Sequence, residues 1–225
     1  MKFTKNKKKQ IEGLDLDKSY PILEAVKIIK ERKYAKFDET IEVCINTGID
    51  SKQSDQNVRG SFVPPHGLGK KVQIAVFAQG KNAEDAKSLG VKRVGGEDLV
   101  SSLQEKIDVD VIIATPDMMS VVSKIAKVLG PKGLMPNPKT GTVTNDIKST
   151  IENINKGLVA FKNDKAGTIH AALGKISFEE NKLSENIISF IEEIKKIKPS
   201  GLKGNFINSI FVSSTMGFGL KVDTK

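Results

Sequence analysis

Few residues of this chain have catalytic or metal-binding potential: the sequence holds two histidines, His66 and His170, and one cysteine, Cys44. No Cys-x-x-Cys or His-x-x-x-His spacing supplies the ligands of a zinc site. A nucleophilic thiol needs a neighbouring base or a helix N-terminus, whereas Cys44 lies in an alternating, strand-like segment. We therefore predict that Cys44 is a half-buried strand residue, and we expect no catalytic residue, no metal and no cofactor.

Two glycine-containing segments are candidates for phosphate binding, and both fail the known templates. The segment "AQGKNAED" follows a strand-like run but lacks the G-x-G-x-x-G spacing of a dinucleotide site. The loop "GPKGLMPNPKTGTVT", residues 130–144, has Met135 where a P-loop requires glycine, and its Lys139-Thr140 pair follows proline. We interpret this loop as a rigid surface connection. A nucleotide-using enzyme is therefore a weaker functional hypothesis than a binding protein.

Other residues are suited to binding. Thr40 and Glu42 alternate with Ile41, Val43 and Ile45, so the pattern places them on the opposite face of a strand. This face is either merely solvated or a surface that prefers RNA to DNA, since hydroxyl and carboxylate oxygens accept hydrogen bonds from ribose 2′-hydroxyls. From the residues alone, the solvated interpretation is preferred.

Phe37 and the segment "SSTMGFG", residues 213–219, leave similar alternatives open. Phe37 is either a partial core residue or an exposed aromatic ring that stacks on a base. The small residues around Thr215 and Met216 either allow a close approach to another backbone or simply end the sheet.

The net charge of +9 and the pI near 9.4 favour an anionic partner, with nucleic acid ahead of a membrane surface. Segments 1–66, 67–158 and 159–225 carry 13, 13 and 10 basic residues against 10, 10 and 7 acidic ones, so charge does not locate the binding site. Since a basic protein also suits DNA, a general DNA-binding protein is the third functional class, after an RNA-binding protein and an enzyme.

The sequence has no transmembrane-length apolar run, and we expect neither a secretory signal nor membrane binding. The single cysteine suits a reducing cytoplasm.

The elements that position these residues fall into three stretches. The first contains a helix with Ser19 as its cap, followed by two strands. In the middle stretch, strands alternate with helices, which predicts parallel βαβ units; Asp117 and Gly130 would cap one of those helices. The last stretch predicts two strands joined as a hairpin by "DKAG", a long helix and a terminal strand.

Neither outer stretch looks complete alone, because each contributes strands and one helix. We therefore predict a discontinuous α+β domain of residues 1–66 and 159–225, with an α/β domain of residues 67–158 inserted into it. The chain near His66 and Val159 would form a hinge.

Four motifs together resemble the ribosomal protein L-one family. They are the loop of residues 130–144, "KFDETIEV" at 36–43, "FKNDKAGTIHAALGKISF" at 161–178 and "SSTMGFG" at 213–219. The resemblance extends from Lys36 to Gly219, and the motifs occur in the family's order. It implies a discontinuous α+β sandwich domain interrupted by a three-layer, Rossmann-like α/β domain. It also implies a structural constituent of the large ribosomal subunit that is not an enzyme.

The same resemblance implies the partners. Members of the family bind 23S rRNA at the mobile stalk beside the tRNA exit site and assist release of deacylated tRNA. Bacterial members also repress translation of their own operon mRNA. For this chain we accordingly expect a cytoplasmic, ribosome-bound protein that is a monomer when free.

Family positions that contact RNA carry over to three segments of this sequence. They are Lys36, Phe37, Thr40 and Glu42 on the first strand, Asp164, Lys165 and Thr168 at the hairpin, and Thr215, Met216 and Gly217 at the C-terminal strand. From the residues alone, the face that carries Thr40 and Glu42 is interpreted as solvated. The resemblance instead predicts that this face binds RNA. Phe218 stands where the family usually has proline, which frees the φ angle and restores an N–H donor beside Gly217.

Overall fold

The computed structural model describes residues 5–70, 72–105, 107–202 and 204–223. Within them the helices are α1 (Lys5–Ile11), α2 (Ile22–Glu31), α3 (Lys81–Ser88), α4 (Glu97–Glu105), α5 (Met119–Ser123), α6 (Ala126–Leu129), α7 (Ile147–Asn155) and α8 (Glu180–Lys196). The strands are β1 (Thr40–Thr47), β2 (Arg59–Phe62), β3 (Ile74–Phe77), β4 (Arg93–Gly95), β5 (Val111–Ala114), β6 (Val159–Lys162), β7 (Thr168–Lys175), β8 (Ile207–Ser214) and β9 (Gly219–Val222).

The chain divides into two compact units. Met1–Gly69 and Val159–Lys225 form one, which we call the discontinuous unit, and Lys70–Leu158 forms the other, the inserted unit. Both units combine helices with sheets, so the predicted mixed α/β fold class is confirmed.

An antiparallel sheet with strand order β7-β1-β8-β9 is the frame of the discontinuous unit. Ile41, Val43 and Ile45 of β1 are buried, as the alternation predicts, whereas the residues between them remain accessible. The sheet therefore has one apolar face and one open face, as antiparallel sheets commonly do.

Helices α2 and α8 bury their apolar stripes in the core beneath this sheet. In α2 the buried residues are Ala25, Val26 and Ile29. A second pairing, β2 with β6, joins the same core through Phe62 and Phe161. Both rings meet Phe190 of α8 edge to face, at centroid distances of 5.4 and 5.5 Å, a favourable aromatic geometry.

The inserted unit has three layers around a parallel sheet with strand order β4-β3-β5. Every residue of β3 is buried, because helices cover both faces of the sheet. Helices α4, α5 and α6 contribute to the core on one face, and α3 and α7 contribute to the core on the other. None of the helices formed by described residues has the length and apolar character needed to span a lipid bilayer.

The loop of residues 130–144 connects α6 to α7 within the inserted unit and is held by internal hydrogen bonds. Asn137 Oδ1 accepts from the amide of Lys139, and Thr142 Oγ1 accepts from the amide of Asn137, both at 2.8 Å. Val143 then forms a bridge with Ala114 of β5. The interpretation of this loop as a structural connection agrees with these contacts.

Two predicted helix caps are wrong. Ser19 does not cap α2, because Tyr20 forms a bridge with Val222 and the helix begins only at Ile22. Asp117 does not cap a long helix either: that segment forms a 3₁₀ turn at Pro116–Met118, then α5 and α6. The cause lies in its sequence, which is rich in valine and serine, and Ser123 bonds back to the Met119 carbonyl (2.7 Å).

The predicted hairpin of residues 158–178 is only partly formed. β6 pairs with β2 and β7 pairs with β1, so the two strands belong to different sheets. A single bridge, Asn163 with Ile169, connects them across the turn. The predicted terminal strand, β8, ends at Ser214, and the chain does not stop at the glycines, because a further strand, β9, returns antiparallel to β8.

Candidate nucleic-acid interface

The first set of predicted site residues lies where β1 begins. There the main chain of Thr40 is held by Thr215 of the C-terminal turn: Thr40 N donates to Thr215 Oγ1 (3.0 Å), and Thr215 N donates to Thr40 O (3.1 Å). The Thr215 hydroxyl also lies 3.3 Å from Thr40 O, to which it donates. We call residues 36–42 and 213–217 together the clasp. The structure thus brings together predicted residues that are far apart in sequence.

Glu39 is a clasp residue that the sequence prediction missed. Its side chain is fully buried, Oε2 accepts from the Met216 amide at 3.1 Å, and Oε1 has no hydrogen-bond partner among the described residues. A signal was available, because alternation places an acidic residue at position 39 on the same face as Ile41 and Val43. Glu39 fixes the main chain that presents the Met216 side chain.

Two large apolar side chains project from this fixed frame. Phe37 is 51% exposed and Met216 is 45% exposed. The interpretation of Phe37 as a partial core residue is therefore wrong, and its ring is free for stacking.

The turn at the C-terminal end of the clasp depends on Gly217 and on the residue that follows the clasp, Phe218. Gly217 N donates to Ser214 O (3.1 Å), and a Cβ atom at Gly217 would overlap the Ser214 hydroxyl. Phe218 is 6% exposed and belongs to the core of the discontinuous unit. A buried ring therefore anchors the turn at the position where the family usually has proline.

The other side of the strand entry is held by β7 and the residues after it. Lys175 Nζ donates to Thr40 Oγ1 (2.9 Å), and Ser177 Oγ donates to Asp38 Oδ2 (2.8 Å). A bulge between Ile41 and Glu42 shifts the β1–β7 register there. The Thr40 hydroxyl thus accepts from a lysine, and it can still donate to an RNA acceptor.

The open face continues from the clasp across the sheet. Its first cross-strand row joins Glu42 to Ala172 and Ser213, and its second joins Cys44 to His170 and Phe211. Glu42 and His170 are exposed, and Phe211 is partly exposed. The face offers a carboxylate, an imidazole and an aromatic ring, which are groups that bind bases and ribose.

Cys44 is not an activated nucleophile, although His170 lies beside it on the neighbouring strand. Burial raises the pKa of the Cys44 thiol above its ordinary value, and the nearby Asp164 carboxylate adds to that effect. Among the described residues, no group of three or more His, Cys, Asp or Glu side chains is arranged to hold a metal ion.

The second set of predicted residues lies at the opposite end of β1. Asp164 Oδ1 accepts from the amides of Ala166 and Thr168, both at 2.8 Å, and Thr168 Oγ1 donates to Asn46 Oδ1 (3.2 Å). Lys165 is exposed at the turn. Since a strand rises about 3.3 Å per residue, this end of β1 lies about 20 Å from the clasp. The two sets mark the two ends of the open face.

The pKa of Asp164 lies below its ordinary value, mainly because the Thr168 amide donates to the carboxylate. A lowered pKa means that the ionised side chain stabilises the turn above the pKa of the unfolded chain, and that this contribution is lost as pH falls through the folded pKa. We expect Asp164→Asn to speed amide exchange at Thr168 several-fold at neutral pH, because it weakens charge-assisted hydrogen bonds. The ratio of variant to wild-type exchange rates should approach one as pH falls below about 4. A ratio that does not change with pH would contradict this role of the carboxylate.

Comparison with known proteins agrees with the resemblance of the four motifs. The chain is 51% identical over 223 residues to a large ribosomal subunit protein uL1 of Coxiella burnetii, covering 99% of this chain and 96% of that protein. It is 50% identical over 212 residues to the protein of the same name from Thermosipho africanus, covering 93% and 91%. The model of the ribosomal protein L1p/L10e family matches residues 29–218, which include the clasp and most of the open face. The chain belongs to the ribosomal protein L1p/L10e family.

Proposed function

We propose that this chain is a constituent of the large ribosomal subunit that binds 23S rRNA at the mobile stalk through its discontinuous unit. The observation that carries the proposal is the clasp, where exposed Met216 projects from a main chain fixed by hydrogen bonds, and exposed Phe37 precedes Asp38, whose carboxylate is held by Ser177. A frame that is ordered before binding loses little conformational entropy on binding, so stacking and apolar contacts contribute more of their energy to affinity.

Recognition on this proposal is mainly by shape and uncharged contacts. Phe37 stacks on a base, Met216 enters an apolar gap between nucleotides, and Glu42 and Thr40 bond to ribose hydroxyls. Lys36 and Lys165, both exposed, add phosphate contacts that are not specific for sequence and weaken with salt. Asp164 acts indirectly, because it shapes the turn that carries Lys165 and Thr168.

The family supports wider roles that belong to the same proposal. Next to the tRNA exit site, the chain assists the release of deacylated tRNA, and it represses translation of its own operon mRNA by binding a structure like the one in rRNA. It acts in the cytoplasm on the ribosome, without catalytic activity, and is a monomer when free. The two relatives, both large ribosomal subunit proteins by name, support the assignment to that subunit.

A gel-shift comparison of RNA with DNA tests this proposal. At moderate salt we expect the chain to bind a stem-loop RNA from the rRNA stalk, and to bind the same sequence made as DNA at least about tenfold more weakly. The reason is that DNA lacks the 2′-hydroxyls to which the acceptors on the open face bond. Equal affinities would contradict the proposal and favour a general DNA-binding protein.

The same assay tests whether the discontinuous unit alone carries the site. Phe62 of β2 pairs directly with Val159 of β6, so removing residues 67–158 leaves chain ends that are close enough to join. We expect a chain of residues 1–66 linked to 159–225 to keep the preference for RNA. A shortened chain that folds, as judged by circular dichroism, but no longer prefers RNA would move the site to the inserted unit.

A further inference from the structure

A cleft in the discontinuous unit lies between α1 and the end of α2. Its volume is about 430 Å³, and it is lined by Lys9, Gln10, Glu12, Arg32, Lys33 and Tyr34. None of the site residues carried over from the family lies in this cleft.

The floor of this cleft is built by a reciprocal pair of hydrogen bonds. Gln10 Nε2 donates to Arg32 O (2.9 Å), and Arg32 Nη1 donates to Gln10 O (2.6 Å) and Glu12 O (2.8 Å). Gln10 is only 6% exposed, yet its Oε1 has no hydrogen-bond partner among the described residues. Because Oε1 itself has almost no accessible surface, this hydrogen-bonded frame shapes the cleft, and Oε1 does not contact a ligand.

The rim of the cleft combines positive charge with an aromatic ring. Lys9 and Lys33 form no ion pair with any described residue, and Glu12 is the one carboxylate that lines the cleft. Together with Arg32, the two lysines give this cleft a net positive charge. Tyr34 is 42% exposed, which leaves its ring available for stacking. Lysines and an exposed aromatic ring are the groups that bind single-stranded nucleic acid.

We propose that this cleft binds an unpaired nucleotide of RNA that flanks the stem-loop held at the clasp. The base stacks on Tyr34, and Lys9 and Lys33 contact its phosphates. Only Ala35 separates Lys33 and Tyr34 from Lys36 and Phe37 in the chain, so the cleft extends the same interface. This inference rests on the proposed function and adds a second subsite to it.

The test compares two RNAs, the stalk stem-loop with blunt ends and the same stem-loop with short unpaired extensions at both ends. We expect the extensions to raise the affinity of the wild-type chain about tenfold, the usual effect of one stacked base. Tyr34→Ala should abolish this gain, and Tyr34→Phe should keep it because the ring remains. The double variant Lys9→Ala/Lys33→Ala should also lose most of the gain. Its matched control, Lys182→Ala/Lys196→Ala, removes two lysines of α8 that are paired with Glu179 and Glu193, and should keep the gain.

The outcomes separate this inference from the proposed function. A wild-type chain that fails to bind the blunt stem-loop contradicts the proposed function itself. A wild-type chain that binds both RNAs equally, or a gain that survives Tyr34→Ala, overturns only the second subsite. Equal weakening of both RNAs by Tyr34→Ala also overturns it, because that result indicates a structural role for the ring.

Discussion

Replacing Met216 with aspartate is expected to lower the affinity for stalk RNA about a hundredfold. The wild-type side chain is apolar, half exposed and held in place by the bond from its own amide to Glu39. The variant would place a carboxylate against RNA phosphates, and like charges at an interface cost several kcal/mol. Since the main chain of the turn is fixed by other bonds, the fold should persist. Filter binding of the stem-loop RNA by the wild-type and variant chains measures the effect.

Two further variants are compared with Met216→Asp. Met216→Leu keeps the volume and apolar character of the side chain and should bind nearly as tightly as the wild type. Lys36→Ala should cost only about threefold, and should reduce the slope of log affinity against log salt by about one, because it removes a single phosphate contact. If Met216→Asp and Lys36→Ala weaken binding equally, uncharged contacts do not dominate recognition.

The second large effect is expected at Glu39, a side chain that does not reach the surface. Glu39→Ala removes the acceptor of the Met216 amide and leaves a cavity beneath the clasp. The turn that presents Met216 would then lose its fixed position, and the RNA affinity should fall about tenfold or more. Glu39→Gln retains an oxygen that can accept from the same amide, so it should keep RNA binding within about threefold.

A change in the fold is distinguished from a change in the clasp by amide exchange. In Glu39→Ala we expect faster exchange at Met216 and Gly217, with unchanged protection in α8, which packs on the other face of the sheet. An alanine variant that binds RNA as tightly as the wild type would show that the bond from Met216 to Glu39 does not position the site.

The periodicity of apolar residues predicted the strand and the helix that support the site. The alternation in β1 identified both its buried residues and its accessible ones, because a half-buried strand repeats every two residues. The same pattern placed Thr40 and Glu42 on one face, and that face is open. The long helix predicted before the terminal strand is confirmed as α8, and Leu183, Ile187, Ile191 and Ile194 are buried on it.

The pattern of apolar and polar residues could not predict contacts between segments that are far apart in the sequence. The Thr40–Thr215 bonds join residues 175 positions apart, and nothing in either segment specifies the other. The failed cap at Ser19 has the same origin, because the chain at Tyr20 pairs with Val222 instead of entering the helix. Such tertiary contacts override local helix preferences.

The resemblance to the family, not the spacing of the residues, identified the RNA-binding positions. Viewed alone, Thr40 and Glu42 fit a solvated face, and Phe37 fits a core residue as well as a stacking one. The structure adds what the resemblance did not: Glu39 and Lys175 fix the clasp, and Phe218 anchors it in the core. These three residues support the site without belonging to the set carried over from the family.

The most direct test of RNA binding at the open face uses the single cysteine of the chain as a probe. Cys44 lies on that face between His170 and Phe211, so alkylation by a maleimide reports on one known position. Its raised pKa calls for a measurement at about pH 8, near the ordinary pKa of a thiol. We predict that stalk stem-loop RNA, at about ten times its dissociation constant, slows the alkylation of Cys44 about tenfold, whereas the same sequence as DNA, at the same concentration, slows it no more than about twofold. An alkylation rate that is the same with and without saturating, bound RNA would contradict the assignment of this face to RNA.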